Sequence, residues 1–262
     1  MQDIFNLLLG HGCVDLSPQI NINRITTFPI DGGGFGDVWR GELHDGTIVA
    51  IKTWRESLIE WCDYTILKSI GMVSEWMGNG NLEEYLRKNP NADRYYLSVQ
   101  AASGLAYIHS QNVIHGDIKA LSYFYRLKYE KKQIAVPGLL KINILVSLDR
   151  IVKLTDFGLS IMSESSVVFS VTTLQATTIR WAAPELLLEE SSRSEESDVY
   201  ALGMEIFTGG VPYQECKWDY NVLMMVTKGI LPSHPMDQIK PSPHGDQMWD
   251  LLVGCWCQEP AL

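Results

Sequence analysis

Three groups of residues in this chain have the types and spacing for chemistry on phosphate. Residues 31–38 read Asp-Gly-Gly-Gly-Phe-Gly-Asp-Val. Glycine lets backbone N–H groups approach a phosphate without an obstructing Cβ. Lys52 follows in Val49-Ala50-Ile51-Lys52 and brings an ammonium to the same neighbourhood. Further on, His115-Gly116-Asp117 sets a carboxylate beside an imidazole, with a second ammonium, Lys119, two residues later. Each has a plain alternative. A glycine cluster between strands is also an ordinary hairpin, a strand lysine is commonly just solvated, and an aspartate after a helix is commonly a turn residue. Their combination points to phosphoryl transfer, which asks the protein to hold phosphates, place metal and orient an acceptor hydroxyl.

The elements that must position these groups can be read from pattern. Residues 25–54 read as three antiparallel strands, with Asp45-Gly46 as a tight turn. Ala50 and Lys52 are two apart, so they share one face of their strand. Residues 56–68 carry a helical stripe of Leu58, Cys62 and Ile66, and a short apolar strand follows over 70–74. Gly78-Asn79-Gly80 is a turn and marks the boundary between two lobes. Beyond it the chain reads mainly helical. Leu82, Tyr85 and Leu86 open one helix, and Leu97, Ala101, Leu105 and Ile108 mark a long one ending near His109. Short strands are expected over 142–146 and 151–155. Ser197 is a candidate N-cap for a buried helix that Gly209 stops, and 248–257 form a final helix. The expected fold is α+β: a small antiparallel β-rich lobe, then a larger helical lobe, with a cleft between.

Composition narrows the partners. The 262 residues allow one large domain or two lobes with ample core. A net charge of −10 argues against nucleic acid or an anionic membrane as partner. No apolar run reaches the ~20 residues of a membrane span, and the leucines near the start lack the basic flank of a signal peptide. The five cysteines, Cys13, Cys62, Cys216, Cys255 and Cys257, are scattered and odd in number. They fit reduced thiols in a cytoplasmic protein, not a disulfide framework or a metal site.

The order of the glycine turn, V-A-I-K, H-G-D, D-F-G (156–158) and A-P-E (183–185) resembles the protein kinase signature set over residues 24–260. The resemblance implies a 1–23 tail, a 24–77 ATP-binding lobe and a 78–262 catalytic lobe. It implies ATP and Mg²⁺ as cofactors and a protein Ser or Thr hydroxyl as substrate. By resemblance Gly33 and Gly36 cover the phosphates, and Lys52 holds the α- and β-phosphates. Val38 and Ala50 sandwich the adenine, Ser74 is the gatekeeper, and Glu75 to Met77 form the hinge. Asp117 takes or orients the hydroxyl proton, Lys119 contacts the transferred phosphate, and Asn143 and Asp156 bind metal. Asp198 tethers the catalytic loop. Lys119, Thr178 and Trp181 resemble the tyrosine-kinase-like group with Ser/Thr specificity.

The sequence also departs from that pattern. Asp31 stands at the first glycine position. Gly116 replaces the catalytic-loop arginine that clamps a phosphorylated activation loop. Only residues 56–69 separate the lysine strand from the next, too few for a full helix, a return strand and two turns, since a helix rises ~1.5 Å per residue. Neither Glu56 nor Glu60 matches the helical glutamate that partners the lysine. Asp117 and Asn143 are 26 apart instead of five, and the extra segment, 121–141, holds five basic residues against one acid. The resemblance also implies an arginine partner for Glu185 and a further helix past the chain's end at Leu262. Three readings follow: an active kinase, a catalytically impaired kinase-like binding module, or an unstable product whose 121–141 segment is a retained intron.

Overall fold

A computed structural model describes residues 10, 12–33, 36–53, 71–118, 143–156, 161–162, 179–188, 192–206, 212–236 and 239–257. The predicted 56–68 helix, the 121–141 segment, Lys119, Thr178 and Gly209 lie outside these residues. The chain divides between Met77 and Gly78 into two compact units.

The first unit is a four-stranded antiparallel sheet, order β1-β2-β3-β4: β1 (Asp31–Gly33), β2 (Gly36–Glu42), β3 (Ile48–Thr53) and β4 (Gly71–Glu75). Strand β1 is shorter than the pattern from residue 25 predicts. Before β1 only isolated bonds form, Thr26 N–H to Arg40 O and Ile30 N–H to Val38 O. At the β2–β3 turn Leu43 N–H donates to Thr47 O (2.8 Å), and Gly46 adopts φ +90°. A residue with a Cβ resists that φ, which accounts for the Asp45-Gly46 signal. Strand β3 alternates as its sequence requires. Val49, Ile51 and Thr53 are buried, while Ile48, Ala50 and Lys52 are half-buried on the other face.

The second unit is mainly helical. It contains α1 (Leu82–Lys88), α2 (Arg94–Ser110), α3 (Pro184–Leu187), α4 (Glu195–Ile206), α5 (Asp219–Thr227) and α6 (Pro243–Cys255). Two small antiparallel ladders accompany them: β5 (Val113–Ile114) with β8 (Ile161–Met162), and β6 (Ile144–Val146) with β7 (Val152–Leu154). Side chains cap the helix starts. Asn81 accepts from Glu84 N–H, Asp93 from Tyr96 N–H and Ser242 from Gly245 N–H, with Pro243 in the first turn. Helix α4 begins two residues before Ser197, the predicted N-cap. Ser194 takes that role. Its Oγ accepts from Ser197 N–H while Ser197 Oγ accepts from Ser194 N–H, a reciprocal pair of the capping-box kind. Helix α6 likewise starts earlier than the 248 expected, because the Ser242-Pro243 signal sits ahead of the apolar run.

The core of this unit joins Leu97, Ala101 and Leu105 of α2, Ile144 and Val146 of β6, and Tyr200, Leu202 and Met204 of α4 to Trp181, Val222 and Trp256. Helices α4 and α6 approach closely at Gly203, where a Cβ would lie 2.8 Å from Cys255 Cβ and 2.9 Å from Trp256 Nε1. No helix among the described residues is long and apolar enough to cross a membrane.

Candidate active site

In the first unit, register decides which predicted residues share a surface. Residues directly opposite in an antiparallel pair lie on the same face. Lys52 is opposite Val38 on β2 and Met72 on β4, and Ala50 is opposite Arg40 and Ser74. Val38, Ala50, Lys52 and Ser74 therefore occupy one face. Asp31, opposite Val38, joins that face, and its carboxylate accepts from Gly32 N–H at 2.8 Å. Gly33 pairs with Gly36, which has φ +145°. Glu75 closes β4 opposite Val49, and Met77 is half-buried two residues later.

In the second unit, the loop after β5 is built around Asp198 of α4, which is 1 % exposed. Its Oδ2 accepts from His115 N–H (2.7 Å) and its Oδ1 from Gly116 N–H (2.8 Å). His109 Nε2 lies 3.0 Å from the same Oδ2. A single buried carboxylate thus orients two consecutive peptides, and charge-assisted bonds of this kind are the stronger ones. The carbonyl of Gly116 accepts from Arg193 Nε–H at 2.9 Å. Gly116 has φ +75°, a conformation glycine adopts without a Cβ penalty.

His115 is fully buried. Its Nε2 is 3.0 Å from Thr155 O and its Nδ1 accepts from Asp117 N–H at 3.3 Å. The neutral ring with hydrogen on Nε2 satisfies both contacts. Burial pushes this imidazole below its ordinary pKa, and the Asp198 carboxylate opposes the shift only in part.

Asn143, also fully buried, precedes β6. Its Nδ2 donates to the backbone carbonyl of Asp117 (2.6 Å) and to Asp117 Oδ2 (2.9 Å). Its backbone carbonyl accepts from Thr155 N–H (2.9 Å), so the residue before Asp156 is tied to it. Asp156 adopts φ +64°, an uncommon conformation for a residue with a Cβ. The Asn143 Oδ1 is buried and has no hydrogen-bond partner. Such an oxygen calls for an explanation, and a hard cation that takes oxygen ligands supplies one. No group of three His, Cys, Asp or Glu side chains among the described residues could hold a metal alone. A magnesium ion here would draw its remaining ligands from water and substrate phosphate, as this ion commonly does. The residues present fit it on those terms.

A family model described as protein tyrosine and serine/threonine kinase matches residues 58–262. The chain belongs to that family. Its β-sheet unit and helical unit are the two parts of a kinase fold. It is similar to tyrosine-protein kinase FRK of Homo sapiens, with 26% identity over 276 residues, covering 92% of this chain and 49% of FRK. It is similar to a light-sensor protein kinase of Ceratodon purpureus, with 32% identity over 183 residues, 62% of this chain and 12% of that protein. It also matches serine/threonine-protein kinase STY17 of Arabidopsis thaliana, with 26% identity over 199 residues, 73% of this chain and 29% of the relative. The chain spans about half or less of the length of these curated relatives.

Two anchors of this kinase domain escaped the sequence reading. Arg180 is buried and donates from Nε to Asp219, from Nη1 to the carbonyls of Pro212 and Tyr213, and from Nη2 to that of Cys216. Arg193 reaches back 77 residues to Gly116. Neither lies in a motif that announces such a bond.

Proposed function

We propose that this kinase domain transfers the γ-phosphate of ATP to a serine or threonine hydroxyl of a protein substrate in the cytoplasm. The observation that carries the proposal is the Asp117–Asn143 pair, a carboxylate held by an amide whose own oxygen is buried and unsatisfied. Asp117 orients the acceptor hydroxyl and takes its proton as the phosphate bond forms. Asn143 fixes that carboxylate through Nδ2 and offers Oδ1 to the cation, with Asp156 as the carboxylate ligand. Magnesium, when bound, neutralises charge developing on the phosphate oxygens. Lys52 takes the α- and β-phosphates, and Gly33 and Gly36 bring backbone N–H groups to them. Val38 and Ala50 flank the adenine, while Glu75 and Met77 offer it backbone hydrogen bonds. Lys119 contacts the transferred phosphate. Lys119 and Thr178 favour Ser/Thr over Tyr.

A second reading, transfer to tyrosine, is favoured by the relatives named as tyrosine kinases. Both are tested by incubating the chain with labelled ATP, Mg²⁺ and peptide libraries carrying only Ser, only Thr or only Tyr. The expected result is incorporation into Ser or Thr peptides that Asp117→Asn abolishes. Incorporation into Tyr peptides alone selects the second reading. Wild type and Asp117→Asn giving equal signal would leave a nucleotide-binding module without turnover.

A further inference from the structure

We propose that Arg193 is a positioning residue for Asp117, acting by clamping the peptide plane that joins Gly116 to Asp117. The inference rests on the role of Asp117 given above. That plane has two polar ends. Its carbonyl, from Gly116, accepts from Arg193 Nε–H at 2.9 Å, and its N–H, from Asp117, donates to His115 Nδ1 at 3.3 Å. The first bond is the shorter of the two and carries a charged donor, which makes it the stronger.

The clamp has a reason in the residue it grips. Glycine populates positive and negative φ with similar ease, so no Cβ opposes rotation of the peptides around Gly116. A turn of the 116–117 plane would swing the Asp117 N–H off His115 and carry the carboxylate with it. The orientation therefore depends on bonds to the plane as well as on the two that Asn143 Nδ2 makes to Asp117. Both polar atoms of Gly116 are held by one short segment, its N–H by Asp198 and its carbonyl by Arg193. Ser194 and Ser197 lock that segment as the capped start of α4. Arg193, Gly116, Asp117 and Asp198 also line one small cavity, so the guanidinium stands beside the loop it holds. Geometry within about half an ångström matters for a catalytic group. A loose glycine peptide next to the carboxylate would forfeit that precision.

The test compares two replacements of nearly equal length in the full chain. Arg193→Met keeps an aliphatic stem and loses the donor. Arg193→Gln puts an N–H donor the same number of bonds from the backbone as Nε and removes the charge. Two readouts are taken: amide hydrogen exchange resolved over residues 113–118, and kcat and KM for ATP and peptide. In Arg193→Met, exchange of the Asp117 amide should rise about tenfold and kcat fall about tenfold, as for a lost hydrogen bond to a charged group. The KM for ATP should not change, and Arg193→Gln should recover most of both effects. Three results would overturn the proposal: unchanged exchange in Arg193→Met, equal behaviour of Gln and Met, or faster exchange spread evenly across the helical unit. If Arg193→Met does not fold, Arg193→Lys replaces it. Lysine keeps the charge with its donor one bond further out, and full recovery by Lys would refute a directed bond. If the unmodified chain transfers no more phosphate than Asp117→Asn, the phosphotransfer reading fails. The exchange comparison then decides the clamp alone.

Discussion

Asn143 and Asp117 meet through a 2.9 Å bond from Nδ2 to Oδ2, although 26 residues separate them along the chain. The second bond from the same Nδ2, to the Asp117 carbonyl, makes the pair a two-point junction. Replacing Asn143 by Ala removes both bonds and the unsatisfied Oδ1. Turnover should fall by at least a hundredfold, and stability by about 1–2 kcal/mol, the usual range for buried hydrogen bonds. Steady-state phosphotransfer and urea melts check this. A variant retaining a tenth of wild-type kcat would refute it.

Deleting residues 121–141 should preserve that junction. Closing a loop costs entropy that grows only with the logarithm of its length. Shortening the span between Asp117 and Asn143 from 26 residues to five should therefore stabilise the domain by about 1–1.5 kcal/mol. The melting temperature should rise by a few degrees. A deletion that lowers it would mark the segment as a packed element of the fold.

His115 links the site to pH. Its folded pKa lies below the ordinary imidazole value of about 6.5. Below that pH the unfolded chain takes up a proton that the folded chain refuses. The stability tied to neutral His115 is thus fully present above about pH 6.5 and is lost as pH falls toward the folded value. Chemical denaturation between pH 7.5 and 5.5 should show this loss. Imidazole NMR should show the ring still neutral, with hydrogen on Nε2, at pH 6.5. Half-titration of His115 at or above that pH would contradict the geometry.

Lys52 sits between Val38 and Met72 on the face shared with Ala50 and Ser74. Lys52→Ala should weaken Mg-ATP binding about tenfold in titration calorimetry, the scale of one charge-assisted contact. Identical affinities for the two proteins would remove Lys52 from the nucleotide site.

Asp198→Asn should be the most destabilising of these single changes, by roughly 2–4 kcal/mol. Three donors converge on this carboxylate. An amide in its place would set an N–H₂ against at least one of them. Thermal melting against wild type measures the loss, and a shift under one degree would show that the loop is held elsewhere.

The antiparallel strands of the first unit and the helical run of the second were legible because alternation and helical spacing are local signals. Ala50 and Lys52 were expected on one face, and the half-buried pattern of β3 has them there. The start of α4 was misread because Ser197 and Ser194 are both good caps, and only their mutual bonds say which stands first. Arg193 was illegible for a different reason. Its partner is a backbone carbonyl, which any residue possesses, so no pairing of side-chain types betrays it.

The tether on Asp198 also bears on the order of assembly. His115 and Gly116 take their orientation from a residue more than 80 positions later in the chain. During synthesis the H-G-D sequence leaves the ribosome long before the carboxylate that seats it. Contacts of such high sequence separation form late and slowly. The loop carrying Asp117 therefore gains its shape only when α4 docks, and a folding intermediate that already holds α1 and α2 would still lack it.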